Sequence, residues 1–382
     1  MLERALQPTL KRLAKHFPVV AVTGPRQSGK TTLVRKIFSK HAYVSLEDPS
    51  ERAFALEDPK GFLKRFEQGA IFDEAQRWPD LFSHLQGMVD ADRRPGRFIL
   101  TGSQQFGLLA GISQSLAGRV GMTQLLPFSL AELAPLKKPL DYFLLHGGYP
   151  SLHTTSMVPN DWFASYVATY IERDVRQLLQ VQDLSTFQRF LRLCAGRTGQ
   201  LLNMNSIAVE VGISHATVRS WISVLEASHI IFLLTPYHRN FGKRLVKMPK
   251  LYFIDVGLAA WLLGIRSEEV LVTHPLRGAL FETLIVSEFL KTKCNQGLPA
   301  DLYFWRDNNG REVDLIFEHE KSLQLVEIKS GQTVTSDMIK SEKKMLEIVD
   351  SKNVMEHLVY GGEESYQRSG LHVWSWRDRF VR

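Results

Sequence analysis

The sequence predicts a multidomain α/β protein, with a parallel sheet covered by helices first and a second, smaller α/β domain last. The chain has 382 residues, which is more than one typical hydrophobic core accommodates, so two or three domains are expected. Apolar strand-like segments alternate with helical ones through the first third, which is the pattern of a parallel sheet. Further on, the predicted elements are mostly helices, and after them strand-like and helical segments alternate again. We predict four segments: 1–136, a helical lid or linker at 137–183, a helix-turn-helix segment at 184–273, and the last α/β domain at 274–382.

The composition is that of a globular protein in a reducing environment. Hydrophobic residues make up 44% of the chain and charged residues 23%, as in ordinary soluble domains. No apolar run reaches the roughly 18–20 residues of a membrane helix, and the N-terminus lacks the apolar region of a secretory signal. The two cysteines, Cys194 and Cys294, lie far apart, which excludes a disulfide framework. We expect a cytoplasmic protein without a membrane partner. The net charge of +7 permits nucleic-acid binding without establishing it.

The first strand and helix flank a glycine-rich loop. The segment VVAVTGPRQSGKTTLVRKIF contains the pattern G-x-x-x-x-G-K-[ST], in which the glycines let backbone N–H groups point at phosphate oxygens. We expect Lys30 to reach the β- and γ-phosphates of ATP and the Thr31 hydroxyl to bind Mg²⁺. The predicted nucleotide-binding residues are Gly24, Pro25, Arg26, Gln27, Ser28, Gly29, Lys30, Thr31 and Thr32.

Two acidic residues, Asp73 and Glu74, end the apolar strand GAIFDEA. In a phosphate-loop ATPase an aspartate at this place holds Mg²⁺, and a following glutamate polarises the attacking water. The alternative is a helix N-cap followed by a solvated glutamate.

The segments GPRQSGKTT and IFDEAQRWPDL resemble those of prokaryotic AAA+ ATPases. The resemblance implies that Ser103, with Gln104 as second choice, occupies the sensor 1 position that monitors the γ-phosphate. It also implies that Arg119 is an arginine finger acting in a neighbouring subunit of a homo-oligomer. A surface arginine in an ion pair is the alternative for Arg119.

One further element resembles a part of STAND and archaeal-type ATPases. GGYP at 147–150 resembles a G-x-P element whose proline lies near the nucleotide base in those proteins. A glycine pair before proline is also an ordinary turn. For a sensor 2 arginine, Arg173 and Arg176 are only candidates.

Within the segment 184–273, residues 203–256 predict a winged helix-turn-helix. A short helix, a glycine turn and a helix capped by Ser214 precede two strands joined by a basic loop. A basic wing beside a recognition helix suits contacts with DNA phosphates. The alternative is a hinge between domains. The basic residues counted for this segment are Arg219, Arg239, Lys243, Arg244, Lys247 and Lys250.

The last segment resembles the PD-(D/E)xK, or restriction-endonuclease-like, core. The resemblance places Asp314 on one strand, Glu327 and Lys329 on the next, and Glu282 on the preceding helix. Asp314 and Glu327 would share a Mg²⁺ ion that polarises a scissile phosphate, with Lys329 beside the attacking hydroxide. Folds of this type are also reused for binding alone.

Over nearly its whole length, the chain resembles prokaryotic AAA-type ATPases with a C-terminal domain of unknown function. Two functions follow as hypotheses. The first is an ATP-dependent enzyme acting on DNA through the winged helix and the nuclease-like domain. The second is a STAND-like switch, in which nucleotide state controls assembly and the nuclease-like domain only binds a partner.

Overall fold

A computed structural model describes the whole chain except residues 1, 104, 172–182, 238–246, 308–309, 336–337, 339–352, 369 and 379–382. The chain forms two compact units. The N-terminal unit comprises residues 1–128 with 227–229 and 293–299, and the C-terminal unit comprises 129–226, 230–292 and 300–382. None of the helices among the described residues combines the length and hydrophobicity that a membrane span requires.

The N-terminal unit is built on a five-stranded parallel sheet. Its strands are β1 (Val19–Thr23), β2 (Ala42–Ser45), β3 (Ala70–Asp73), β4 (Phe98–Gly102) and β5 (Val120–Gln124), in the spatial order β2-β3-β4-β1-β5. The helices are α1 (Gln7–His16), α2 (Lys30–Ile37), α3 (Pro49–Glu57), α4 (Pro59–Lys64), α5 (Leu81–Ala91) and α6 (Gln105–Ser115).

Helices cover both faces of this sheet, so its central strands are continuous apolar runs. Every residue of β1, β3 and β4 is buried. One face packs Phe72 and Leu100 in a large cluster, and the other packs Val20 and Ile99 in a second cluster. Because all five strands are parallel, their carboxyl ends share one edge, where polar residues from several strands meet.

The C-terminal unit begins with helices. They are α7 (Leu130–Leu133), α8 (Leu140–His146), α9 (Ser151–Thr154), α10 (Pro159–Tyr166), α11 (Leu184–Gly196), α12 (Met204–Val211), α13 (His215–Ala227), α14 (Val256–Leu262), α15 (Glu268–Thr273) and α16 (Arg277–Gln296). The π-helical turn Val167–Ile171 follows α10. The strands are β6 (Gln200–Leu201), β7 (Ile231–Pro236), β8 (Lys250–Phe253), β9 (Tyr303–Arg306), β10 (Glu312–His319), β11 (Ser322–Lys329), β12 (Val354–Tyr360), β13 (Tyr366–Arg368) and β14 (Leu371–Ser375).

One nine-stranded sheet runs through this unit, in the order β13-β14-β12-β11-β10-β9-β7-β8-β6. Parallel pairing of β7 with β9, through Thr235 with Tyr303 and Pro236 with Phe304, joins the two halves. The sequence places a domain boundary after residue 273, whereas the structure has a single sheet across it. The pairing of β7 with β9 covers the edge of each half of the sheet, where backbone N–H and C=O groups would otherwise be unpaired.

The helix-turn-helix elements have the expected order. Gly212 ends α12 with a φ of +78°, and Ser214 Oγ accepts the Thr217 N–H at 3.0 Å at the start of α13. Val218 is buried on the inner side of α13, and Arg219 is exposed. Three of the counted basic residues, Arg239, Lys243 and Arg244, lie outside the described residues.

Lys250 corrects the sequence analysis. It is counted among the basic residues of the predicted wing, but only 1% of it is exposed. Its strand, β8, pairs with β7 on one side and β6 on the other, so the residue lies inside the sheet.

Candidate functional site

The glycine loop between β1 and α2 has the backbone that its sequence predicts. Gly24 and Gly29 have φ values of +144° and +91°, and a Cβ on Gly24 would lie 2.1 Å from the Leu125 carbonyl oxygen. Gln27 also has a positive φ, of 61°. Helix α2 starts at Lys30 without a side-chain cap. The N–H groups of its first turn therefore lack intrahelical acceptors, as at helix ends that bind anions.

Lys30 is buried, and its ammonium donates to the loop itself. Nζ lies 2.9 Å from the Gly24 carbonyl oxygen and 2.8 Å from that of Pro25. Burial lowers the pKa of Lys30 to about 8, against the opposing charges of Glu74 and Asp73. The ammonium is thus held at the loop by two carbonyl oxygens.

The remaining loop residues differ in their surroundings. Arg26 lies 3.7 Å from the Glu47 carboxylate, and Ser28 is fully buried with an Oγ that has no hydrogen-bond partner among the described residues. Thr32 is exposed on α2. Pro25 contributes its carbonyl oxygen to Lys30. Of the predicted set, Lys30 donates to the loop carbonyl groups and Thr31 contacts the Asp73 carboxylate.

Asp73 collects three hydroxyl groups at the end of β3. Thr31 Oγ1 lies 3.0 Å from each carboxylate oxygen, Tyr43 Oη donates to Oδ2 at 2.9 Å, and Thr101 donates to Oδ1. Burial and the Asp73 charge raise the pKa of Tyr43 to about 12. Hydroxyl and carboxylate oxygens are the donor types that Mg²⁺ prefers, so Thr31 and Asp73 fit this ion.

Sequence reasoning missed Tyr43 and Thr101 as partners of Asp73. Both lie in apolar segments whose pattern predicts strands, AYVSLED (42–48) and RFILTGS (97–103). The parallel order β2-β3-β4 brings their strands to either side of β3. The signal was therefore present, since polar residues at the carboxyl ends of neighbouring parallel strands converge.

Glu74 stands directly after β3 with a left-handed backbone, φ 54° and ψ 48°. Its Oε2 accepts the Ser103 hydroxyl at 2.8 Å and the Gln76 amide. Ser103 is predicted to monitor the γ-phosphate; in the structure its hydroxyl contacts Glu74, and the sensor role stays a prediction. Gln104, the second choice for that role, lies outside the described residues.

Arg119 forms a two-pronged ion pair with Asp90 on α5. Its Nε and Nη2 atoms lie 2.7 and 2.9 Å from the two Asp90 oxygens, and Nη1 donates to the Ala117 carbonyl oxygen at 3.0 Å. The hydrogen bond from Arg119 lowers the pKa of Asp90. This is the arrangement of the alternative reading, and the arginine-finger role stays a prediction. The sensor 2 candidates, Arg173 and Arg176, lie outside the described residues.

The GGYP segment is fixed within the C-terminal unit by Asp255. The Gly148 N–H donates to Asp255 Oδ2 at 2.7 Å, and the same carboxylate caps α14 through Leu258 N–H at 3.0 Å. A Cβ on Gly147 would lie 2.1 Å from Asp255 Oδ1. The first glycine is therefore required by close packing, while a role of Pro150 at the nucleotide stays a prediction.

His229 is a third residue that sequence reasoning missed. It lies in the short segment that clusters with the N-terminal unit, it is 5% exposed, and its φ is 54°. Its Nε2 has no hydrogen-bond partner among the described residues. Burial and the neighbouring Lys30 charge lower its pKa to about 4, so the imidazole is neutral beside the ammonium.

The predicted nuclease-like residues come together in the C-terminal unit. Strands β10 and β11 are antiparallel and pair Leu315 with Val326, which brings Asp314 and Glu327 to neighbouring positions. Asp314 Oδ2 accepts the Ile328 N–H at 2.9 Å. Lys329 contacts Glu327 Oε1, and Glu327 Oε2 is buried without a partner among the described residues. Burial and the Asp314 charge raise the pKa of Glu327.

A lysine also takes part in this cluster. Lys250 Nζ lies 2.9 Å from Glu282 Oε1 and 3.9 Å from Asp314 Oδ1, and it contacts Glu312. Tyr252 donates its hydroxyl to Glu282. Burial alone would lower the pKa of Lys250, but the three carboxylates outweigh it and keep the pKa above its ordinary value.

The two carboxylates that the resemblance assigns to Mg²⁺ each have an ammonium beside them, since Lys250 lies next to Asp314 and Lys329 contacts Glu327, so this arrangement does not fit the implied metal. Glu282, Glu312 and Asp314 each offer an oxygen within 4.8 Å of the others, which is the spacing of a cation site. The Lys250 ammonium contacts all three carboxylates, so the position among them already holds a positive charge. Lys250, Glu312 and Tyr252 were not among the predicted site residues.

Family models match three consecutive segments of the chain. An AAA domain matches residues 16–134, a domain of unknown function (DUF8612) matches 137–269, and another (DUF4143) matches 277–378. The breaks between the matches lie at 134–137 and 269–277, and the four predicted segments stay a prediction.

Relatives extend over most of the chain. The uncharacterized proteins Rv2008c of Mycobacterium tuberculosis and Mb2031c of Mycobacterium bovis are each 32% identical over 368 residues, covering 95% of this chain and 81% of the relative. Among solved structures, the Walker-type ATPase PABY2304 of Pyrococcus abyssi is 14% identical, with a TM-score of 0.45, over 69% of this chain and 96% of that one. The STAND protein PH0952 of Pyrococcus horikoshii, which has a tetratricopeptide repeat sensor, is 14% identical, with a TM-score of 0.30, over 75% of this chain and 47% of that one. The chain thus carries an AAA domain and a C-terminal DUF4143 domain, and it belongs to the family that includes Rv2008c and Mb2031c.

Proposed function

We propose that the protein binds and hydrolyses ATP in its AAA domain and that nucleotide state controls the activity of its C-terminal unit. One observation carries the first part. Lys30, Thr31, Asp73 and Glu74 gather at the carboxyl edge of one parallel sheet, and hydroxyl groups hold both acids in place.

Binding rests on the loop and on two oxygen ligands. The N–H groups of the loop and of the first turn of α2 bind the phosphates, and Lys30 neutralises their charge. Thr31 and Asp73 would hold Mg²⁺. The ion, when bound, neutralises charge that develops on the transferred phosphoryl group.

Hydrolysis rests on Glu74. Ser103 and Gln76 both donate to Oε2, which leaves Oε1 to accept a proton from the attacking water. Because the two donors fix the carboxylate, the water is positioned before reaction, and positioning contributes much of the rate in phosphoryl transfer.

The test compares three variants of the full chain. Lys30→Ala is expected to lose nucleotide binding in a titration with a fluorescent ATP analogue. Glu74→Gln is expected to bind ATP normally and to hydrolyse it at least 100-fold more slowly. Lys36→Ala removes an exposed lysine of the same helix and should behave like the wild type. Equal turnover by wild type and Glu74→Gln would remove the role assigned to Glu74.

For the C-terminal unit, we propose contact with DNA through α13. The exposed Arg219 on this helix supports the proposal, since a recognition helix uses such residues for phosphate contacts. A gel shift with duplex and single-stranded DNA, with and without ATP, tests it. Arg219→Ala should weaken binding uniformly across sequences, and absence of any shift by the wild type would reject DNA contact.

The second candidate is a nucleotide-controlled assembly switch whose nuclease-like domain binds a partner without cutting. The Lys250 ammonium among the carboxylates favours this candidate over cleavage. Light scattering of the chain with ATP and with ADP tests it, because a switch changes mass with nucleotide. Equal mass in both states, together with DNA cleavage, would reject it.

A further inference from the structure

The carboxylates of Glu282, Glu312 and Asp314 in the C-terminal unit surround the ammonium group of Lys250. We propose that Lys250 takes the place of a divalent metal among Glu282, Glu312 and Asp314, so that the chain binds no Mg²⁺ or Mn²⁺ there while this lysine is present. Removing the ammonium turns the same carboxylates into a metal site. The proposal does not depend on ATP hydrolysis or on DNA contact.

The geometry of the contacts carries the first step. The ammonium contacts Glu312, lies 2.9 Å from Glu282 Oε1, and lies 3.9 Å from Asp314 Oδ1. The carboxylate oxygens lie within 4.8 Å of one another. A metal ion bound by these oxygens would stand within a few ångströms of Nζ, where both cations compete for the same ligands and repel each other.

Burial carries the second step. The Lys250 side chain is 2% exposed, and a buried ammonium persists only when it is paired and hydrogen-bonded. Around it, Arg306 also pairs with Glu312, at 3.0 Å, and Tyr252 donates to Glu282. The acids therefore have protein partners already, and a metal would have to displace several of them at once.

The strand pairing carries the third step. Lys250 pairs with Leu234 of β7 on one side and with Leu201 of β6 on the other. Its backbone is thus held in a three-stranded ladder and not on a free edge. The ammonium cannot withdraw with its strand unless ladder hydrogen bonds break, so its position is built into the sheet.

The test measures Mn²⁺ binding by the full chain, with free Mn²⁺ detected by electron paramagnetic resonance. Every chain carries Asp73→Asn, which removes the carboxylate expected to bind metal in the AAA domain. With Lys250 intact, no Mn²⁺ should bind in the millimolar range. Adding Lys250→Met should produce one site per chain, with a dissociation constant at least tenfold below that millimolar limit. Adding Asp314→Asn to the Lys250→Met chain should abolish this site.

Lys247→Met is the matched control, since it makes the same change at an exposed lysine three residues away; it should leave Mn²⁺ binding absent. Because Lys250→Met leaves three acids without their cation, Lys250→Met/Glu312→Gln is measured as well, and Mn²⁺ should raise the melting temperature of both. One Mn²⁺ bound by the Lys250-intact chain and lost on Asp314→Asn would overturn the proposal. A folded Lys250→Met chain that binds no Mn²⁺ would overturn it too.

Discussion

Ser103 offers the sharpest test of the candidate ATP site, because two readings of this residue predict different results. The Ser103 hydroxyl donates to Glu74 Oε2 at 2.8 Å and is 2% exposed. If its task is to orient Glu74, Ser103→Ala removes a hydrogen bond to a carboxylate. Such a bond contributes about 1.5–2 kcal/mol at a partly buried site. If the activation free energy of hydrolysis rises by this amount, kcat falls roughly 10- to 30-fold.

The assay is steady-state ATP turnover by four chains: wild type, Ser103→Ala, Glu74→Gln and the double variant. An orienting role predicts an unchanged KM, and it predicts that Ser103→Ala has little further effect once Glu74 is already glutamine. Thr123→Val serves as control, since Thr123 is buried in the same unit and its Oγ1 has no hydrogen-bond partner among the described residues. It should keep full activity.

Direct sensing of the γ-phosphate predicts another pattern. Ser103→Ala would then weaken ATP binding more than ADP binding, and it would remain costly in the Glu74→Gln chain. Additive effects of the two substitutions, with a loss of ATP over ADP preference, would refute the orienting role.

Three further predictions concern assembly and stability. If Arg119 is a finger, ATP turnover per chain rises with protein concentration, and mixing Arg119→Ala with Lys30→Ala chains restores part of it; concentration-independent turnover would argue for a self-sufficient chain. Asp255→Ala removes a helix cap and leaves the buried Gly148 N–H unpaired, so the free energy of unfolding should fall by about 2–4 kcal/mol. Urea titration measures this change. A free energy equal to that of the wild type within error would show that water replaces the carboxylate. His229→Leu removes a buried Nε2 that has no hydrogen-bond partner among the described residues, so the melting temperature should stay equal or rise. A clear fall in the melting temperature would show that the imidazole stabilises the fold.

Local pattern was enough for much of the fold. The segments EVDLIFE and LQLVEIKSG predict strands at 312–318 and 323–331, and strands are found at Glu312–His319 and Ser322–Lys329. Apolar alternation and glycine turns are properties of neighbouring residues, so they are readable without the fold. The short strand Tyr366–Arg368 was missed, since all three of its residues are exposed and no alternation marks them. The helix predicted at 336–349 falls mainly outside the described residues.

The sequence by itself determined the phosphate loop and the acidic pair that follows β3, because each is a contiguous motif whose chemistry depends on spacing along the chain. It also brought Asp314, Glu327 and Lys329 into view, since two adjacent strands suffice to place them. Only the tertiary structure decided what surrounds these residues.

Tyr43 and Thr101 reach Asp73 through the spatial order of the strands, which differs from their order in the sequence. Lys250 reads as one more basic residue of an exposed loop until β7 pairs with β9 and the two halves become one sheet. That pairing joins residues far apart in the chain, and no local pattern encodes it, so a lysine that the sequence places among the basic residues of a wing is buried among three carboxylates.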